Sequence, residues 1–105
     1  MTFILIVTGG GRGIGAETSL KAAEAGWDVC ISYRSNASRA REIAGKVEAA
    51  GRRALIVKAD IGSEADIVRL FETCEAELGT PSGLVNSAGI LEPLSRIDNI
   101  DGTAL

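Results

Sequence analysis

Eight residues near the start carry the plainest chemistry in the chain: Thr8-Gly9-Gly10-Gly11-Arg12-Gly13-Ile14-Gly15. They follow an apolar run, Phe3 to Val7, and open a segment with a helical pattern. Glycines lack a Cβ, so a charged ligand can come close to the main chain. A helix starting there adds free N–H groups and the positive end of its macrodipole. A Gly-rich turn between strand and helix therefore predicts a pyrophosphate site. A triphosphate loop would need Gly-x-x-x-x-Gly-Lys-Ser/Thr. The spacing from Gly10 to Gly15 fits, but Ala16-Glu17 follows, which excludes kinase and ATPase chemistry of that kind.

A second set of residues closes the second apolar run: Ser32-Tyr33-Arg34-Ser35. In dinucleotide folds an acid at this place bonds the adenosine ribose, while an Arg accommodates a 2′-phosphate. No acid is present here. A guanidinium pairs with phosphate in a forked geometry, and a carboxylate would repel it. Arg34, with Arg12 as a second cation, thus predicts NADP, with NAD as the alternative. A third set, Asn86-Ser87-Ala88-Gly89, follows the fourth apolar run. Its small residues would let a flat ligand lie on the backbone, although alone the tetrapeptide marks only a turn.

Composition excludes other chemistries. The chain has no His, so Ser-His-Asp hydrolysis, Cys-His catalysis and His-ligated metal sites cannot be built within it. Two cysteines, Cys30 and Cys74, cannot form a four-ligand zinc site; no metal is expected. Each sits in an apolar pattern and reads as a buried free thiol, which fits a reducing, cytoplasmic setting. Eleven basic against fourteen acidic residues, net charge −3, leave no footprint for nucleic acid. No apolar run reaches the ~20 residues of a membrane span, and Phe3–Val7 lacks the basic flank of a signal segment. Charge is unevenly spread, +4 over residues 34–53 and −5 over residues 60–79, which reads as two solvated helix faces.

These residues need a scaffold, and the patterning supplies one. Apolar runs at Phe3–Val7, Val29–Tyr33, Ala54–Val57 and Leu84–Val85 read as strands. Between them lie helical patterns over residues 13–25, 37–50 and 63–78, stopped by Gly26, Gly51 and Gly79. Ser63 reads as an N-cap, with Asp66 at the capping-box position. Residues 91–105 read as a loop leading into the start of a helix. The alternation βαβαβαβ predicts an α/β fold, a doubly wound parallel sheet of Rossmann type with strand order 3-2-1-4. In that order the loops after the first and fourth strands flank one crevice, where ligands bind.

Taken together, the motifs resemble the short-chain dehydrogenase/reductase family. Thr8, Gly9, Gly13 and Gly15 match its Thr-Gly-x-x-x-Gly-x-Gly loop. Asn86, Ala88 and Gly89 match its Asn-Asn-Ala-Gly element, with Ser87 in place of the second Asn. Asp60-Ile61 matches the pair that contacts the adenine ring in this family. Ser32-Tyr33-Arg34 looks most like the NADP-preferring glucose 1-dehydrogenase and 3-oxoacyl-carrier-protein reductase types. The resemblance implies hydride transfer between a nicotinamide and a carbonyl or alcohol substrate. It implies cofactor contacts at Gly9, Gly11, Arg12, Gly13, Ile14, Gly15, Tyr33, Arg34, Ser35, Asp60, Ile61, Asn86, Ala88 and Gly89.

The family's catalytic Ser and Tyr-x-x-x-Lys set finds no match. Tyr33 is the only tyrosine, and the residue four positions on is Ala37. At 105 residues the chain reads as one dinucleotide-binding unit, residues 1–105, and as the first part of a larger protein. Four strands would leave the fourth as an open edge. Substrate and homo-oligomer contacts are expected only of the full-length protein. The alternative reading is a non-catalytic dinucleotide-binding or regulatory module.

Overall fold

A computed structural model describes residues 2–9, 13–85 and 91–93. The order is β1 (Ile4–Thr8), α1 (Gly13–Glu24), β2 (Asp28–Tyr33), α2 (Ala37–Ala49), β3 (Ala54–Lys58), α3 (Glu64–Glu77), β4 (Gly83–Val85) and β5 (Leu91–Pro93). The sheet runs β3-β2-β1-β4-β5. The first four strands are parallel in the predicted order 3-2-1-4, with Thr8 opposite Ser32 and Ser32 opposite Val57. Elements begin and end within one or two residues of the boundaries read from the sequence.

The parallel strands are apolar on both faces because helices cover both. Leu5, Val7, Val29 and Ile31 pack with Ala16 and Ala23 of α1 and with Ala40, Ile43 and Val47 of α2. Ile4, Ile6, Cys30 and Val57, the alternate positions, pack with Leu70 and Cys74 of α3. The two charge blocks therefore lie on opposite faces of the sheet.

Helix ends follow the sequence signals. Trp27 N–H donates to the Ala22 carbonyl at 3.0 Å, and Arg52 N–H to Val47 at 3.3 Å. Each bond closes a C-terminal motif that turns through a glycine of positive φ, Gly26 and Gly51. At α3, Ser63 Oγ accepts from Asp66 N–H at 3.3 Å, as an N-cap does. The reciprocal half of the capping box is absent. Asp66 Oδ2 accepts from Asp60 N–H at 2.8 Å, and Ser63 N–H donates to the Asp60 carbonyl at 2.9 Å.

One expectation is corrected. Residues 91–93, read as loop, form β5, which pairs antiparallel with β4 through Val85 opposite Leu91. The fourth strand is thus not left as an open edge. An antiparallel return needs no crossover helix, so a three-residue strand can satisfy the exposed amides of β4. Residues 94–105, expected to enter a helix, lie outside the described residues.

Candidate functional site

Parallel pairing brings the ends of β1, β2 and β3 to one edge. Thr8, Ser32 and Val57 form a row across the sheet, so the residues after them emerge together. Thr8 is buried, and its Oγ1 donates to the Val85 carbonyl at 3.3 Å. This bond ties β1 to β4, the two strands from which the winding runs in opposite directions.

Gly9 follows with φ +67°, a left-handed conformation that costs an L-residue with a Cβ about 1–2 kcal/mol. The chain then enters α1 at Gly13. The Gly15 carbonyl accepts from Ser19 Oγ at 2.8 Å, which satisfies the buried hydroxyl one turn on. Gly11 and Arg12 lie outside the described residues; of Gly13 and Ile14 the helical backbone is described.

At the end of β2, Tyr33 is half-buried and Arg34 and Ser35 are exposed. Asn36 caps α2, its Oδ1 accepting from Arg39 N–H at 3.0 Å. No acidic side chain stands at positions 33–36. At the end of β3, Ala59 N–H donates to the Tyr33 carbonyl at 2.9 Å, so the Asp60 turn starts beside Tyr33. Asp60 Oδ1 accepts from Gly62 N–H at 2.8 Å, which holds the turn into α3. Ile61 is 44% exposed, an apolar surface at the same edge. Thus Gly9, Tyr33, Arg34, Ser35, Asp60 and Ile61 are brought together at one edge of the sheet. Asn86, Ala88 and Gly89 lie outside the described residues, although Val85, just before them, pairs with Val7.

Two features go beyond the cofactor contacts expected from the sequence. Ser32 Oγ is buried and has no hydrogen-bond partner among the described residues. The signal available was a hydroxyl breaking the apolar run of β2. At the opposite, N-terminal edge, Asp28 is buried against Arg52 and Arg53. Burial works to raise its carboxyl. The Arg53 amide and guanidinium, with the charge of Arg52, outweigh that and hold it below the ordinary aspartate range. The cysteines are both buried free thiols, as expected. Among the described residues no helix is long and apolar enough to cross a membrane.

The short chain dehydrogenase family matches residues 4–103. An uncharacterized oxidoreductase of Escherichia coli, YgfF, is 36% identical over 97 residues, covering 92% of this chain and 39% of that protein. A short-chain type dehydrogenase/reductase of Picea abies is 38% identical over 95 residues, covering 85% of this chain and 35% of that one. Among solved structures, an acetoin dehydrogenase from Enterobacter cloacae superposes with a TM-score of 0.77 at 38% identity, over 86% of this chain and 36% of that one. A short-chain dehydrogenase/reductase from Serratia marcescens gives 0.77 at 33% identity, over 81% and 35%. The chain spans under two-fifths of the length of these relatives. With the glycine turn at the end of β1, the 3-2-1-4 sheet and a match over nearly its whole length, the chain belongs to the short-chain dehydrogenase family.

Proposed function

We propose that residues 1–105 form a dinucleotide-binding unit that prefers NADP, and that the protein it serves is an oxidoreductase. The observation that carries the preference is the end of β2: Arg34 is exposed there, and no carboxylate stands at positions 33–36. The chain's residues fit such a cofactor. Gly9 turns the backbone without a Cβ, and α1 begins at Gly13 to meet a pyrophosphate. Gly11 and Arg12 precede that helix start in the sequence, and Ile14 and Gly15 belong to its first turn. Tyr33, Arg34 and Ser35 would receive the ribose and its 2′-phosphate. Asp60 and Ile61 would border the adenine, and Asn86, Ala88 and Gly89 would close the far side of the crevice.

When bound, the nicotinamide supplies or accepts a hydride, with a carbonyl or alcohol as the partner substrate. The residues of this chain bind and orient the dinucleotide. The family's Tyr-x-x-x-Lys pair is not among these 105 residues, because Tyr33 is the only tyrosine. The narrower likeness to glucose 1-dehydrogenase and 3-oxoacyl-carrier-protein reductase types rests on residues 32–34 alone, whereas one solved relative is an acetoin dehydrogenase. We therefore assign the substrate by class only. Calorimetric titration of the chain with NADP and NAD tests the reading. Saturable binding of one dinucleotide per chain, tighter for NADP, is expected; absence of binding overturns it.

A further inference from the structure

One buried polar group among the described residues has no role in the fold: the hydroxyl of Ser32. Its residue is 1% exposed, and its Oγ is the one buried side-chain polar atom without a partner among the described residues. Other buried polar side chains are satisfied: Thr8 Oγ1 by the Val85 carbonyl, Ser19 Oγ by the Gly15 carbonyl, Asp28 by two arginines. An orphaned buried hydroxyl is uncommon and costly, so it calls for an explanation at its own location.

That location is specific. Ser32 is the last fully buried residue of β2, one position before Tyr33 and two before Arg34. By strand alternation it shares the α3-side face with Cys30, Thr8 and Val57. Ala59 lies on that face too, and it leads directly into the Asp60-Ile61 turn. The hydroxyl therefore lies behind the corner where the ends of β2 and β3 meet, between the residues placed at the ribose and those placed at the adenine.

We infer that Ser32 is a further specificity residue, whose hydroxyl hydrogen-bonds the adenosine portion of the bound dinucleotide. This rests on the dinucleotide reading above. The orphaned hydroxyl is then a group left waiting in the ligand-free chain, and its partner arrives with the adenosine.

The test compares the parent with Ser32→Ala in two measurements. Calorimetry uses NADP, adenosine 2′,5′-bisphosphate and nicotinamide mononucleotide as ligands. Thermal melting is followed without ligand. In Ser32→Ala, about five- to tenfold weaker binding of NADP and of the bisphosphate is expected, the worth of roughly one hydrogen bond. Nicotinamide mononucleotide binding should not change. The ligand-free melting temperature should hold or rise, because the alanine removes an unsatisfied buried group. Unchanged affinity for NADP and the bisphosphate overturns the inference while leaving the dinucleotide reading intact. A fall in ligand-free melting temperature with no loss of affinity assigns the hydroxyl a structural role and also overturns it. A parent that binds neither NADP nor the bisphosphate overturns both.

Discussion

Arg53 Nε donates to Asp28 Oδ2 at 2.8 Å, and Arg53 N–H donates to Asp28 Oδ1 at 3.0 Å. Arg52 Nε reaches the same Oδ1 at 3.1 Å, and Arg53 Nη2 bonds the Leu78 carbonyl at the end of α3 at 2.9 Å. One buried carboxylate thus joins the start of β2, the turn into β3 and the last turn of α3. The Asp28 side chain is 1% exposed, while those of Arg52 and Arg53 are 31% and 57% exposed. Removing the carboxylate leaves two arginines that can turn to water. Asp28→Asn should therefore cost about 1–3 kcal/mol rather than the larger penalty of a stranded buried charge. Denaturant unfolding of both proteins at neutral pH measures it.

The same carboxylate gives a pH dependence. Folding lowers its pKa, so its stabilisation is complete above the unfolded value of about 3.9 and is lost as pH falls through the folded value. Melting curves from pH 6 to pH 2 should show the parent losing stability over the acid end of that range. Asp28→Asn should lose less over the same range. Parallel curves for the two proteins would contradict the assignment.

The buried thiols should be inert in the folded chain. Cys30 and Cys74 are each 0% exposed. The neighbouring Cys74 thiol, with burial, pushes the Cys30 thiol well up, so its thiolate is scarce, whereas Cys74 is shifted down by Cys30 and is kept from reagents by its burial. An aromatic disulfide reagent should label neither cysteine quickly under native conditions, and both in denaturant. Rapid native labelling of either would contradict the packing of α3 on the sheet.

At the glycine turn, Gly9→Ala should destabilise the chain by about 1–2 kcal/mol, because φ is +67°. Gly13→Val should leave the melting temperature near that of the parent yet weaken NADP binding at least about tenfold by bulk at the phosphate. Calorimetry and melting of the same samples separate the two effects.

Much of this was legible in the sequence for local reasons. The apolar runs, the helical stripes and Gly26, Gly51 and Gly79 each report on a few neighbouring residues, and together they determine the βα alternation. The glycine turn and Arg34 are legible because their chemistry depends on being just past a strand. Other features depend on distant partners. Asp28 finds Arg52 and Arg53 across 24 and 25 residues, and nothing in the spacing points to that pairing. β5 is three residues long and ends in Pro93, too short to show a period. Asp66 turns to Asp60 rather than to Ser63 because the turn after β3 offers it a free amide, a competition that the capping-box pattern does not contain. Ser32 opens the Ser32-Tyr33-Arg34-Ser35 set, but that its hydroxyl is buried without a partner among the described residues depends on packing that the spacing does not report.

The central claim is that the end of β2 reads the 2′-phosphate of NADP. The most direct measurement is the ratio of NAD to NADP dissociation constants for the parent and for Arg34→Asp. The parent should favour NADP. In Arg34→Asp, NADP affinity should fall at least about tenfold, because a carboxylate replaces the phosphate's cation, while NAD affinity holds or improves. The same ratio in both proteins would contradict the account.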